Sequence, residues 1–278
     1  MSARTWQIFG EKELGVPLEF RFVPGAGGLI ATNTLLSSPA DGYTIMIHNF
    51  ANFHIMNLLY DGDVGVDDIA PLGAYYTDPG VFFVHKDSPY QTFEDVMAFA
   101  KANPGQFRIS FASFTDMSYL LVRQIETLYD VEFNLVNYEG GNAARLAVVN
   151  REVDACSTTW FAASPVWDDI RVLAQLMDTV PLAGLEGVRT ISNILDHDFP
   201  DIHNSYFIFA PPTFERDHPE RFKTLASRLA AAWNGSEYYE SMKERGEESA
   251  INVMTPEETL KTLVEMGEFI HENAHLFE

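Results

Sequence analysis

Residues 24–44 read PGAGGLIATNTLLSSPADGYT, placing a glycine-dense turn, a helix-like run, a proline stop and an Asp-Gly turn in one short stretch. An apolar segment at 18–23 precedes the glycines, and another at 43–48 follows the Asp-Gly pair. Strand, turn, helix, turn, strand is the unit from which α/β layers are built. Backbone N–H groups at the junction point outward and carry the positive end of the helix dipole, so an anionic group is favoured there. Gly25, Gly27 and Gly28, with Ala26 among them, would let a ligand approach the backbone closely.

The alternation continues along the chain. Strands are expected at 18–23, 43–48, 80–85, 107–112, 132–137, 153–158, 171–175 and 205–210. Helices are expected at 28–37, 91–102, 117–129, 142–150, 219–233, 236–245 and 256–274. This order predicts an α/β fold with parallel layers. Extended stretches at 81–85 and 206–210 flank the middle third. A discontinuous first domain, 1–86 and 206–278, is therefore expected around an inserted second domain, 87–205. Ligand sites in such folds gather at the C-terminal ends of strands, facing the cleft between lobes.

Composition removes several function classes. No apolar run approaches the roughly 20 residues that span a bilayer. Forty acidic residues against eighteen basic ones give a net charge of −22, which repels nucleic acid and anionic membranes. Arginines (12) outnumber lysines (6), a balance that fits a saline habitat and an ordinary acidic secreted protein alike. The single cysteine, Cys156, excludes an internal disulfide and reads as a buried structural thiol within VDACSTTW.

Enzymatic motifs are few. His271-Glu272-Asn273-Ala274-His275 matches H-E-x-x-H, whose two histidines bind zinc while the glutamate acts as base. Zincins place a third protein ligand downstream, and only Leu276, Phe277 and Glu278 follow. A zinc hydrolase is the alternative reading, without a nucleophile–base pair to support it. The glycine turn lacks the third glycine of a dinucleotide site, since Ile30 stands in its place. No cofactor is called for.

Other stretches share an order with 24–44: SPYQTFEDVMAFAKANPGQ (88–106), NYEGGNAARLAVVNREVDA (137–155), RVLAQL (171–176) and FIFAPPTF (207–214). Together they resemble the substrate-binding proteins of the tripartite tricarboxylate transporter family, the Bug-type extracytoplasmic solute receptors, over nearly the whole chain from about Arg4. That resemblance implies a two-lobed, type II periplasmic-binding-protein-like fold closing on a small organic acid or amino-acid-like ligand. It also implies membrane permease subunits as partners and a periplasmic or extracytoplasmic location. A sensor domain binding ligand without a permease is a further alternative. Relatives begin with a signal peptide, a strand and a Gly-Gly…Asp loop before their first helix. Met1-Ser2-Ala3-Arg4 stands inside that helix, so an upstream extension, or another segment filling the strand's slot, is expected.

Five loops qualify as ligand-facing. Beside 24–28 stand Asn49, Phe50 and Ala51, a polar–aromatic tip after strand 43–48, and Tyr75, Tyr76, Thr77 and Asp78, where Tyr76 would stack a ring or cap a carboxylate. In the family the loop at 113–118 is glycine-rich and its helix start receives a ligand carboxylate. Here it reads Ser113, Phe114, Thr115, Asp116, Met117, Ser118, and Asp116 is either a helix cap or a ligand-facing charge. The fifth loop carries Tyr138, Glu139, Gly140 and Gly141, with Glu139 where the family has lysine. If Asp116 and Glu139 converge, the ligand has a cationic or neutral polar part. Thr158, with Ser157, Thr159 and Trp160, supplies hydroxyls and an aromatic wall at the next strand end.

Overall fold

The computed structural model describes residues 2–113, 116–138, 140–177 and 184–277. Among these residues run strands β1 (Met46–Asn49), β2 (Ala70–His85), β3 (Arg108–Phe111), β4 (Asn134–Asn137), β5 (Ala155–Thr159), β6 (Ile170–Gln175), β7 (His203–Ala210) and β8 (Ile251–Met254). The chain forms two compact units, Met1–Thr77 with Ser205–Ala274 and Asp78–Asn204 with His275–Glu278.

In the first unit β1, β7 and β2 lie in that order, with β8 antiparallel on β2. β1 and β7 pair antiparallel from Met46 opposite Phe209 to Asn49 opposite Tyr206. Phe207 and Phe209 share a face because strand side chains alternate, and they pack with Phe50, Phe53, Met56 and Leu263. Each such side chain contributes about 1.5–3 kcal/mol by leaving water. Two of the helices start on identifiable caps. Asn49 accepts the Asn52 N–H at 3.0 Å and opens helix Phe50–Tyr60. Thr255 and Glu258 form a reciprocal capping box at the head of Pro256–Glu272.

The second unit orders β2, β5, β3 and β4, with β6 antiparallel on the same length of β2. β3 is parallel to both β4 and β5. Parallel neighbours need crossovers, supplied by helix Met117–Tyr129 between β3 and β4 and by helix Gly141–Val149 between β4 and β5. Both helices therefore start at the C-terminal ends of parallel strands. Val81, Phe83, Val148, Cys156 and Ile170 form the core on one face.

Several expectations need correction. The sheet is mixed rather than parallel, since β2 pairs antiparallel with β5, β6 and β8. Residues 18–23 form no strand. The Leu18 N–H bonds to Glu11 Oε1 at 2.8 Å, its carbonyl accepts from Gln7 Nε2 at 2.9 Å, and Phe22 is 91% exposed. The supposed loop at 75–78 lies inside β2, a 16-residue strand buried along almost its whole length. The supposed tip at 49–52 is the first turn of helix Phe50–Tyr60.

Candidate functional site

In the second unit three strand ends come together. At the first, the Asp116 N–H bonds to the Ser113 carbonyl at 3.1 Å, and Asp116 Oδ1 accepts the Ser118 N–H at 3.1 Å. Asp116 is thus the cap of helix Met117–Tyr129. Burial raises its carboxyl above the usual range, opposed by the bonds from Ser118. Ser118 is itself buried and donates its hydroxyl to the Ser157 carbonyl at 3.2 Å, tying this helix start to β5. Thr115 and Phe114 lie outside the described residues.

The second junction joins the first through the backbone. Tyr138 N–H bonds to the Phe111 carbonyl at 3.0 Å, and Gly140 N–H to that of Ala112 at 3.1 Å. Gly140, at φ 98°, heads helix Gly141–Val149 without any side-chain cap. The first-turn N–H groups there keep their donor capacity, which favours an anion. Burial, and next the charge of Glu152 beyond the far end of that helix, raise the Tyr138 phenol above its usual range. Glu139 lies outside the described residues.

Thr158 completes the group. A Cβ on Gly141 would stand 3.9 Å from Thr158 Oγ1 and 4.0 Å from the Ala112 Cβ. Gly140, Gly141, Ser118, Asp116 and Thr158 are thereby brought to one edge of the sheet. Two further residues matter here: Asp78, expected on a ligand-facing loop, and Arg145, not singled out by sequence. Asp78, buried in β2, accepts the Phe161 N–H at 3.0 Å and so holds the start of helix Trp160–Ala163. Arg145 lies one turn beyond Gly141, and its Nη1 donates to the Ala162 carbonyl at 2.9 Å. Arg145 carries no local signal, because an arginine in a helix reads as a solvated face.

The first-unit residues divide differently. Gly25, Ala26, Gly27 and Gly28 all have positive φ, of 126°, 47°, 62° and 106°. A Cβ on Gly28 would fall 2.3 Å from His48 Nε2, so this glycine is required by packing within the chain as well as by its backbone angle. Asn49 is engaged as a cap, and its amide also donates to the Ser205 carbonyl at 3.2 Å. Phe50 and Ala51 are buried in the core, with the Phe50 ring 4.8 Å from that of Phe207. Tyr76 is buried in a strand against Tyr206 rather than carried on a loop.

His271 closes helix Pro256–Glu272, whereas His275 belongs to the following turn Ala274–Phe277. The chain leaves helical geometry at Asn273, so the two imidazoles do not share a helix face. Among the described residues no three His, Cys, Asp or Glu side chains are grouped to hold a metal. Burial pushes the Cys156 thiol up to about 12, which removes its nucleophilicity.

The match to known proteins decides between the readings of this arrangement. Residues 3–260 match the family described as the tripartite tricarboxylate transporter family receptor. The chain belongs to that family. A UPF0065 protein of Bordetella pertussis is 24% identical over 162 residues, 58% of this chain and 50% of its own. The chain spans about half the length of the curated relatives it matches. An R. palustris protein solved with adipate superposes with a TM-score of 0.81 at 18% identity, over 99% of this chain and 91% of its own. MatC from Rhodopseudomonas palustris, solved with bound malate, gives 0.75 at 17% identity, over 99% and 93%. The receptor family's fold is that of periplasmic binding proteins, a mixed α/β architecture.

Proposed function

We propose that this family member is an extracytoplasmic solute receptor that captures a small carboxylate and presents it to the membrane permease subunits of a tripartite transporter. The observation that carries this reading is the uncapped start of helix Gly141–Val149 beside Thr158. First-turn N–H groups without a side-chain cap, a helix dipole and a hydroxyl together suit a carboxylate oxygen. Neighbours of the same fold solved with adipate and malate support the ligand class. In this reading Gly140, Gly141, Ser118 and Thr158 form one wall of the site in the second unit. Asp116 works as a helix cap, which weakens the case for a cationic ligand drawn from its charge.

The test is titration calorimetry of the purified chain against malate, adipate, amino acids and the corresponding amides. Saturable one-to-one binding of an acid, with its amide at least roughly tenfold weaker, is the expected result. Equal binding of acids and amides would overturn the anion site. Stoichiometric zinc, lost when His271 and His275 are both replaced by Ala, would overturn the receptor reading altogether.

A further inference from the structure

Arg145 is a half-buried cation, and among the described residues no carboxylate pairs with it. Its Nε is buried without a hydrogen-bond partner, and only Nη1 is engaged, by the Ala162 carbonyl. A guanidinium presents five N–H donors in a planar fork matched to a carboxylate, so most of its capacity is unused. Leaving a desolvated charge without a counter-charge is unfavourable, and apolar residues fill the adjoining positions Ala144, Ala147 and Val148. Within the chain, the bond from Nη1 to the Ala162 carbonyl uses one of the five donors.

Its location gives the charge a use. Residues four apart on a helix share a face, so Arg145 lies directly along from Gly141. Gly141 adjoins Thr158, and Thr158 shares its sheet face with Cys156, two residues before it. Arg145 Nη1 reaches the Ala162 carbonyl, three residues past the end of β5, which places the guanidinium at the same end of that strand as Thr158. Gly141, Thr158 and Arg145 therefore gather about the C-terminal end of β5 in the second unit.

We propose that Arg145 binds an oxyanion of the ligand, a carboxylate, and is the residue that sets the ligand class of this receptor. The inference rests on the carboxylate-receptor reading and deepens it. The helix start would orient one oxygen group, and the guanidinium would discriminate a second anionic group from its neutral counterpart.

The experiment uses the full chain, Arg145→Met, which keeps length and removes charge, and Arg145→Lys, which keeps charge without the fork. Affinities for malate, adipate and the neutral probe adipamide are measured together with melting temperature in ligand-free buffer. Arg145→Met is expected to weaken the dicarboxylates on the order of 10- to 100-fold, with Arg145→Lys between it and the parent. Adipamide binding stays unchanged, and the ligand-free melting temperature stays level or rises. Equal dicarboxylate affinity in parent and Arg145→Met overturns the role of Arg145 while the receptor reading stands. A ligand-free melting temperature several degrees lower in Arg145→Met, with affinity intact, assigns the guanidinium to a carboxylate of this chain instead. A parent that binds no carboxylate overturns both readings.

Discussion

Lowering the pH from 7 to 4 should cost this protein about 3 kcal/mol of stability through one side chain, His48. The ring sits in β1 at 7% exposure, with Nδ1 2.8 Å from the Asn49 N–H and Nε2 buried against Gly28 without a partner. Burial holds its pKa down at about 4, the Asn49 backbone opposing and the His54 charge adding to the effect. An unfolded histidine titrates near 6.5. Between those values the unfolded chain binds a proton that the folded chain refuses, so stability rises with pH in that window. It is fully present above about 6.5 and is lost progressively as pH falls toward 4. A gap of about 2.5 units, at roughly 1.4 kcal/mol each, gives the stated magnitude. Urea unfolding of the parent and of His48→Asn, at half-unit intervals from pH 7 to 4, isolates the effect. Asparagine can still accept the Asn49 N–H but does not titrate, and its cavity penalty is independent of pH. Asp116, whose raised pKa acts with the opposite sign, cancels because it is common to both proteins. The parent's advantage should shrink by about 3 kcal/mol across the range. A difference that stays flat would show that the folded ring takes up its proton freely, and the burial argument would fail.

Gly28→Ala should destabilise by about 2–4 kcal/mol in the same assay, combining a left-handed backbone with a contact 2.3 Å from His48 Nε2. Asp116→Ser should change stability by less than about 0.5 kcal/mol and leave dicarboxylate affinity level, because serine also caps. A clear gain in affinity would show that Asp116 faces the ligand as a charge. Thr158→Val should weaken carboxylate binding by about 0.5–1.5 kcal/mol while the melting temperature moves little, as calorimetry and a thermal scan would show. Cys156, fully buried with its pKa pushed up to about 12, should resist a thiol reagent at pH 8 until denaturant is added.

What the sequence made legible was what is local. Helix 117–129 was readable end to end because Asp116 caps it and Met117, Leu120, Leu121 and Ile125 recur at helical spacing. The helix starts after Asp116 and Gly140 were readable because glycines and short polar residues between a strand and a helix have little else to do. A strand, by contrast, is a relation between two segments. Residues 18–23 have the composition of one and still form none, since the side chains of Gln7 and Glu11 take the Leu18 backbone groups first. The first half of β2 failed in the opposite direction. Tyr75 and Tyr76 look like part of a ligand-facing loop until Trp6, Tyr206 and Trp233 arrive from distant parts of the chain to bury them. Arg145 belongs with this second group. In sequence it is one more charged residue on a short helix, and its meaning lies in the absence of a counter-charge among the described residues around it. The surroundings of a side chain are set by tertiary packing, which is why the residue proposed to choose the ligand was passed over while its glycine neighbours were not.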